Sequence, residues 1–337
     1  MRRGRWRVPL LGLAGSEATH RSRRRVEAIL LLALIAFPLV SGDTFLIDRL
    51  GRYFLFAAFA VSVDLIWGYG GLFTFGHAAF FGGGGYIVGM LTTHDAAFLP
   101  VPLWAALIGA VLAMALFALA LSYFVFSGRG AQRGVEFAVV TLAVAVAAER
   151  LTNAGGSVTG GQNGILMSSS LGVPGVISLQ QGYGFYALAG LLLLATYVGV
   201  QRFLNSRSGL ILRGIRENED RIDLLGYDVP AIKRRAFVLS AAIAALAGAV
   251  FYVHEGIVSP SAVGVGASTL VLLWVVLGGR GTLIGPIVGA ILLPHLTATL
   301  SGSLLDTWLV AVGVILVAVI LVLPSGIFGF LDRERGT

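Results

Sequence analysis

Leu103 to Phe126 reads LWAALIGAVLAMALFALALSYFVF. The run has no charged side chain, and it exceeds the roughly 20 residues that a helix needs to cross the hydrocarbon of a bilayer. Working outward, further apolar segments lie at about 53–69, 76–93, 136–150, 184–203, 236–254, 268–278, 283–299 and 308–324, with Ile29–Val40 before them. That makes about ten transmembrane or half-spanning helices. The segments at 268–278 and the glycine-rich 76–93 are the short ones.

Composition agrees with this reading. Of 337 residues, 57% are hydrophobic and 12% charged, with mean hydropathy +0.88. A soluble domain carries about 25% charged residues, so these charges are too few to coat a water-exposed surface of this size. The expected fold class is all-α, a polytopic integral membrane protein of the plasma membrane, in contact with the lipid bilayer.

The net charge of +7 would raise nucleic-acid binding in a soluble protein. Here the arginines cluster at the ends of apolar runs, so no nucleic-acid partner is expected. Residues 1–26 carry eight arginines, from Arg2 to Arg25. With the apolar run behind them they could be read as a signal peptide. The long basic region and poor cleavage pattern near Ser41–Gly42 favour a retained first helix.

Orientation follows by parity. With 1–26 in the cytoplasm, the loop at 128–135 (Arg129, Arg133) comes after four crossings. The loop at 204–235 comes after six, and the tail with Arg333 and Arg335 after ten. All are basic, while 95–102, 151–183 and 255–267 fall outside and hold few basic residues. Both termini are therefore expected in the cytoplasm. The domains are 1–26 as a basic tail, 27–330 as the transmembrane domain with 204–235 as a cytoplasmic loop, and 331–337 as a second tail. Five segments starting inside and five starting outside also suggest an inverted five-helix repeat.

Four stretches could carry function. Asp64–Tyr86, DLIWGYGGLFTFGHAAFFGGGGY, interrupts an apolar segment, with Gly82, Gly83, Gly84 and Gly85 expected as helix-break glycines. Asp64, Gly76 and His77 either line a pathway or cap helix ends, since ionisable groups at membrane depth face the protein interior. Ser157–Ile165, SVTGGQNGI, puts Thr159, Gln162 and Asn163 in an outside loop. That loop is either an outer gate or docking surface, or an ordinary turn-rich connection.

In residues 205–235, Leu212, Ile215, Ile222 and Leu225 recur at helical spacing between charges. Gly226 is placed as a C-cap and Pro230 as a stop signal. The pattern predicts a short amphipathic helix outside the membrane, its apolar face against lipid headgroups or a partner protein; the mixed charges Arg213, Arg216, Glu217, Glu219, Asp220 and Arg221 favour the protein. In Trp274–Leu292, Gly278-Gly279-Arg280-Gly281 breaks the apolar run, and Gly281, Gly285 and Gly289 repeat a small-xxx-small pattern.

Catalytic machinery is missing. There is no phosphate-binding G-x-x-x-x-G-K-[ST], and Lys233 is the only lysine. The sequence has no cysteine, and its five histidines lack metal-ligand spacing, so neither metal nor cofactor is expected.

Taken in order, GYGGLFTFGHAAFFGGGGY (68–86), TLAVAVAAERLTNAGGSVTGGQNGI (141–165), RGIRENEDRIDLLGYDVPAIKRRAFVLSAAIAALAGA (213–249) and LGGRGTLIGPIVGAIL (277–292) resemble the permease subunits of branched-chain amino acid ABC importers. The resemblance covers roughly residues 50 to 330. It implies a second, similar permease, two cytoplasmic ATPase subunits and a soluble solute-binding protein outside. It also implies that the stretch around Glu217–Gly226, with Arg213, Arg216, Glu217, Asn218, Glu219, Arg221, Leu225 and Gly226, couples to an ATPase. The urea-importing branch is similar too, in DLIWGY (64–69) and GGRGTLIGP (278–286), and Asp64 stands where the amino-acid branch often has Asn. Rival readings are a stand-alone secondary transporter, which needs no docking helix, and a membrane-embedded enzyme, which needs clustered polar residues that the spans lack.

Overall fold

The computed structural model describes residues 43–93, 101–126, 135–167, 171–173, 177–178 and 182–303, and positions 310, 313, 314, 317, 321 and 326–328. The span expected at 29–40, the tails 1–26 and 331–337, and most of 308–324 lie outside the described residues.

The chain from Thr44 onward is one unit. Its long helices are α1 (Thr44–Asp64), which continues as a π-helical turn over Leu65–Tyr69, α2 (Ala78–Thr92), α3 (Leu103–Phe126) and α4 (Val135–Ala154). A turn of helix, α5 (Gly156–Thr159), and a 3-10 turn (Gly161–Asn163) follow. Then come α6 (Gly182–Asn205), α7 (Arg207–Glu217), α8 (Glu219–Leu224), α9 (Val229–Glu255), α10 (Val265–Gly278) and α11 (Ile284–Ser303). Two-residue strands form two small antiparallel pairs, Ile165–Leu166 with Ile257–Val258 and Gly172–Val173 with Ile177–Ser178. Among the described residues, five helices are long and apolar enough to cross a membrane, and the protein is an all-α polytopic membrane protein.

Burial separates inner helices from outer ones. Of the most apolar window in α1 and its π turn, 83% is buried, against 28% in α3. A helix apolar all round is either enclosed or faces lipid. α1 is enclosed, while α3 leaves Ile108, Leu112, Leu116 and Phe124 exposed. Aromatic rings fill the centre: Phe59 stacks on Phe81 at 4.4 Å, and Phe56 meets Phe251 at 4.8 Å and Trp274 at 5.0 Å.

The packing relations of the two halves correspond. α1 and α9 pack on each other; α1 holds α10 and α11, which pack together, while α9 holds α2 and α3, which also pack together.

Three expectations are corrected. Gly82–Gly85 do not break a helix. They lie inside α2, and the interruption falls earlier, at residues 70–77. A Cβ at Gly84 would collide with the Ala245 carbonyl, and one at Gly248 with the Phe81 carbonyl, so these glycines let α2 and α9 cross backbone to backbone. Pro230 stands in the first turn of α9, where a missing amide costs nothing, rather than stopping a helix. The single amphipathic helix expected in 205–235 is two, broken at Asn218, whose extended backbone (φ −159°, ψ 100°) ends α7 and whose side chain caps α8.

Candidate functional site

The π turn after α1 is the starting point. Trp67-Gly68-Tyr69-Gly70-Gly71 closes the helix with Gly71 N–H donating to the Trp67 carbonyl (3.1 Å) and Leu72 N–H to the Ile66 carbonyl (3.0 Å). The wide turn and its glycines make a flat floor, and α7 lies on it. A Cβ at Gly70 would meet Leu212 Cδ1 at 3.4 Å, and one at Gly71 would meet Arg216 Cγ at 3.1 Å. Gly71 also needs its positive φ of 73°.

Three segments converge here: the end of α1, α7 and the turn between α10 and α11. Asp64, fully buried at the end of α1, accepts a hydrogen bond from Gly281 N–H at 2.6 Å. Arg216 Nη1 of α7 donates to the Gly68 carbonyl. A Cβ at Gly68 would strike the Asp64 carboxylate, so the glycine keeps clear the path by which Asp64 reaches Gly281. Gly281 (φ 78°) is close to Arg216 Nη1 in turn. Arg280 lies over the Trp67 ring at 5.7 Å and Arg213 over Tyr69 at 5.3 Å. Between α10, which ends at Gly278, and α11 the chain turns through residues 279–283, where Gly279 (φ 113°), Gly281 and Leu283 take positive φ; at Leu283 (56°) this is rare for a residue with a side chain.

α7 and α8 are anchored from below. Ser206 caps α7 by accepting from Gly209 N–H (3.4 Å), and Asn218 Oδ1 accepts from Arg221 N–H (2.9 Å). Leu212 and Ile215 are buried, and a Cβ on Gly214 would meet Ile222 Cδ1 at 2.8 Å. Much of the apolar face therefore packs on the chain itself, and not only on lipid or a partner as expected. Leu225, in contrast, is exposed, with Leu224 (88% exposed) and Tyr227 beside it. Lys233 of α9 reaches back with Nζ 2.7 Å from each carboxylate oxygen of Glu219, and lies 5.7 Å from the Phe126 ring centre. Gly226 takes the left-handed conformation (φ 84°) just after α8.

The other expected residues lie elsewhere. His77 is buried between α1, α2 and α9, its Nε2 2.9 Å from Ser240 Oγ and its ring stacked near Phe59. Ser240 Oγ also donates to the Ser62 carbonyl. Gly76 is pressed against the Thr141 carbonyl of α4. Thr159, Gln162 and Asn163 sit at the opposite end: Thr159 Oγ1 donates to the Thr152 carbonyl (2.6 Å), while Gln162 and Asn163 are exposed. Beside them Ile165 and Val258 pair, with Tyr86, Ala262 and Val263 packed around them.

Gly68, Gly70 and Gly71 are the residues that sequence reasoning passed over. They stood in the quoted stretch, but the run Gly82–Gly85 drew the inference of a break. Lys233 was noticed only as the single lysine. Its place immediately before Arg234-Arg235 at the start of a long helix was the available signal.

Residues 45–323 match the sequence model of the family described as branched-chain amino acid transport system / permease component. The chain is 28% identical over 302 residues to the high-affinity branched-chain amino acid transport system permease protein LivM of Escherichia coli (strain K12), covering 82% of this chain and 68% of that protein. It is 32% identical over 132 residues to the corresponding protein LivH of the same organism, covering 39% of this chain and 42% of LivH. A probable LivM of Methanocaldococcus jannaschii is 27% identical over 112 residues, a third of this chain (33%) and 32% of that protein. No solved structure matches.

Proposed function

Because the chain belongs to the family of branched-chain amino acid transport system permease components, we propose that it is the permease subunit of an ATP-driven importer for branched-chain amino acids. It works beside a second, similar permease, on two cytoplasmic ATPase subunits that carry the catalysis. A soluble binding protein delivers the solute outside. The names of the relatives favour branched-chain amino acids over urea.

The observation that carries the reading is α8 and its turn. Leu224 ends and Leu225 caps a six-residue helix whose first residues are Glu219, Asp220 and Arg221; both leucines are exposed, and the helix is tied down by Lys233. An apolar tip ringed by charge on a braced helix suits insertion into a protein cleft better than a uniformly basic helix lying on lipid. α8 shares its end of the molecule with Arg207, Arg213, Arg234 and Arg235, and a basic end favours the cytoplasmic side. Gln162 and Asn163, at the opposite end, then face the binding protein.

The double change Leu224→Asp with Leu225→Asp, at two exposed positions, tests the docking. It should leave the protein inserted in the membrane and abolish solute uptake in cells. Uptake at the parental rate would sink the docking assignment.

A further inference from the structure

We propose that Arg216 is the positioning residue through which the docking segment acts on the membrane helices, by holding the π turn of α1 and the α10–α11 turn in one junction. The inference rests on the docking reading above and names the part of the transport domain that receives the motion.

Transmission between sites needs a stiff, directional contact rather than mere proximity. Among the described residues, two contacts lead inward from α8. One is the Lys233–Glu219 pair to α9. The other is α7, which is continuous with α8 through Asn218 and ends in Glu217 one residue beyond Arg216.

Arg216 is unusually constrained for a surface arginine. Its stem packs on Gly71, where no Cβ intervenes, and its guanidinium donates to the Gly68 carbonyl beyond the acceptors Ile66 and Trp67 that close the turn. The planar fork lets the same group lie against Gly281. Gly68 and Gly281 belong to opposite halves of the chain and are already cross-tied, since Asp64 accepts from Gly281 and only a glycine at 68 leaves room for it. A displacement of α7 therefore pulls on the ends of α1, α10 and α11 together. π-helical turns are rare and are frequently found at functional sites. Here the π turn is the last turn of α1, after Asp64 and before Gly70-Gly71, so a shift of Arg216 acts on the end of α1 rather than on its body.

The test uses the full importer complex reconstituted in liposomes, reading leucine uptake and ATP hydrolysis in the same vesicles. Arg216→Ala should lower the uptake-to-hydrolysis ratio by about tenfold, within the range of typical coupling factors. Arg216→Lys, which can still reach one carbonyl but lacks the fork, should recover part of it. If Arg216→Ala does not assemble, Arg216→Gln keeps much of the stem on Gly71 and reports the same ratio. An unchanged ratio in an assembled Ala or Gln variant overturns the proposal. Leu225→Asp separates this from failure of the docking reading. If that variant still retains the ATPase subunits, docking is wrong; if it releases them while the Arg216 variants keep the parental ratio, only the role of Arg216 is wrong.

Discussion

Lys233 and Glu219 form a bidentate ion pair across the junction of α9 and α8, with Nζ 2.7 Å from both carboxylate oxygens and the lysine side chain only 2% exposed. A buried ammonium is tolerated when it is paired, and removing its partner is far more costly than removing the pair together. Glu219→Ala should therefore destabilise the purified protein by about 3 kcal/mol, read as a lower melting temperature in detergent. Lys233→Met combined with Glu219→Leu should melt closer to the parent than Glu219→Ala does. Equal melting of the single variant and the parent would show that the pair has no structural weight.

Asp64 Oδ1 takes the Gly281 amide. An asparagine keeps that acceptor and the shape. Asp64→Asn should retain uptake within about threefold, while Asp64→Leu, which leaves the Gly281 amide unpaired and costs roughly 1–3 kcal/mol, should lose most of it. The comparison is made by initial uptake rates at equal protein in the membrane. If the carboxylate charge itself were needed, Asp64→Asn would fail along with Asp64→Leu.

The crossing of α2 and α9 depends on Gly84 and Gly248, where an added Cβ meets the carbonyls of Ala245 and Phe81. Overpacking of a close contact costs about 1–3 kcal/mol, so Gly84→Ala and Gly248→Ala should each lower the melting temperature. Gly199→Ala should not, because nothing lies within 4 Å of its Cβ position. Equal tolerance at all three positions would remove the backbone contact as a determinant of packing.

The sequence was a good guide to what depends on period and charge, and a poor one to what depends on contacts. Apolar runs such as Leu103–Phe126 mark spans because length and hydropathy suffice. Glycine is ambiguous: Gly82–Gly85 and Gly278–Gly281 look alike in sequence, yet the first run serves a helix crossing and the second a chain break. What distinguishes them is the α9 backbone lying over α2, more than 150 residues away in sequence, as the Ser240–His77 separation of 163 illustrates. Asn218 was legible in part, since Asn followed by Glu219 and Asp220 is an N-terminal helix signal. The continuous spacing of Leu212, Ile215, Ile222 and Leu225 masked it. The junction of Asp64, Gly68, Arg216 and Gly281 was not legible, because it joins segments separated by 148 and 217 positions.

The most direct measurement of the central claim is uptake of labelled leucine and labelled urea by cells with and without this gene. Loss of leucine uptake alone on deletion, restored by the gene, is the expected result. Loss of urea uptake with leucine uptake intact would contradict the assignment of branched-chain amino acids as the solute.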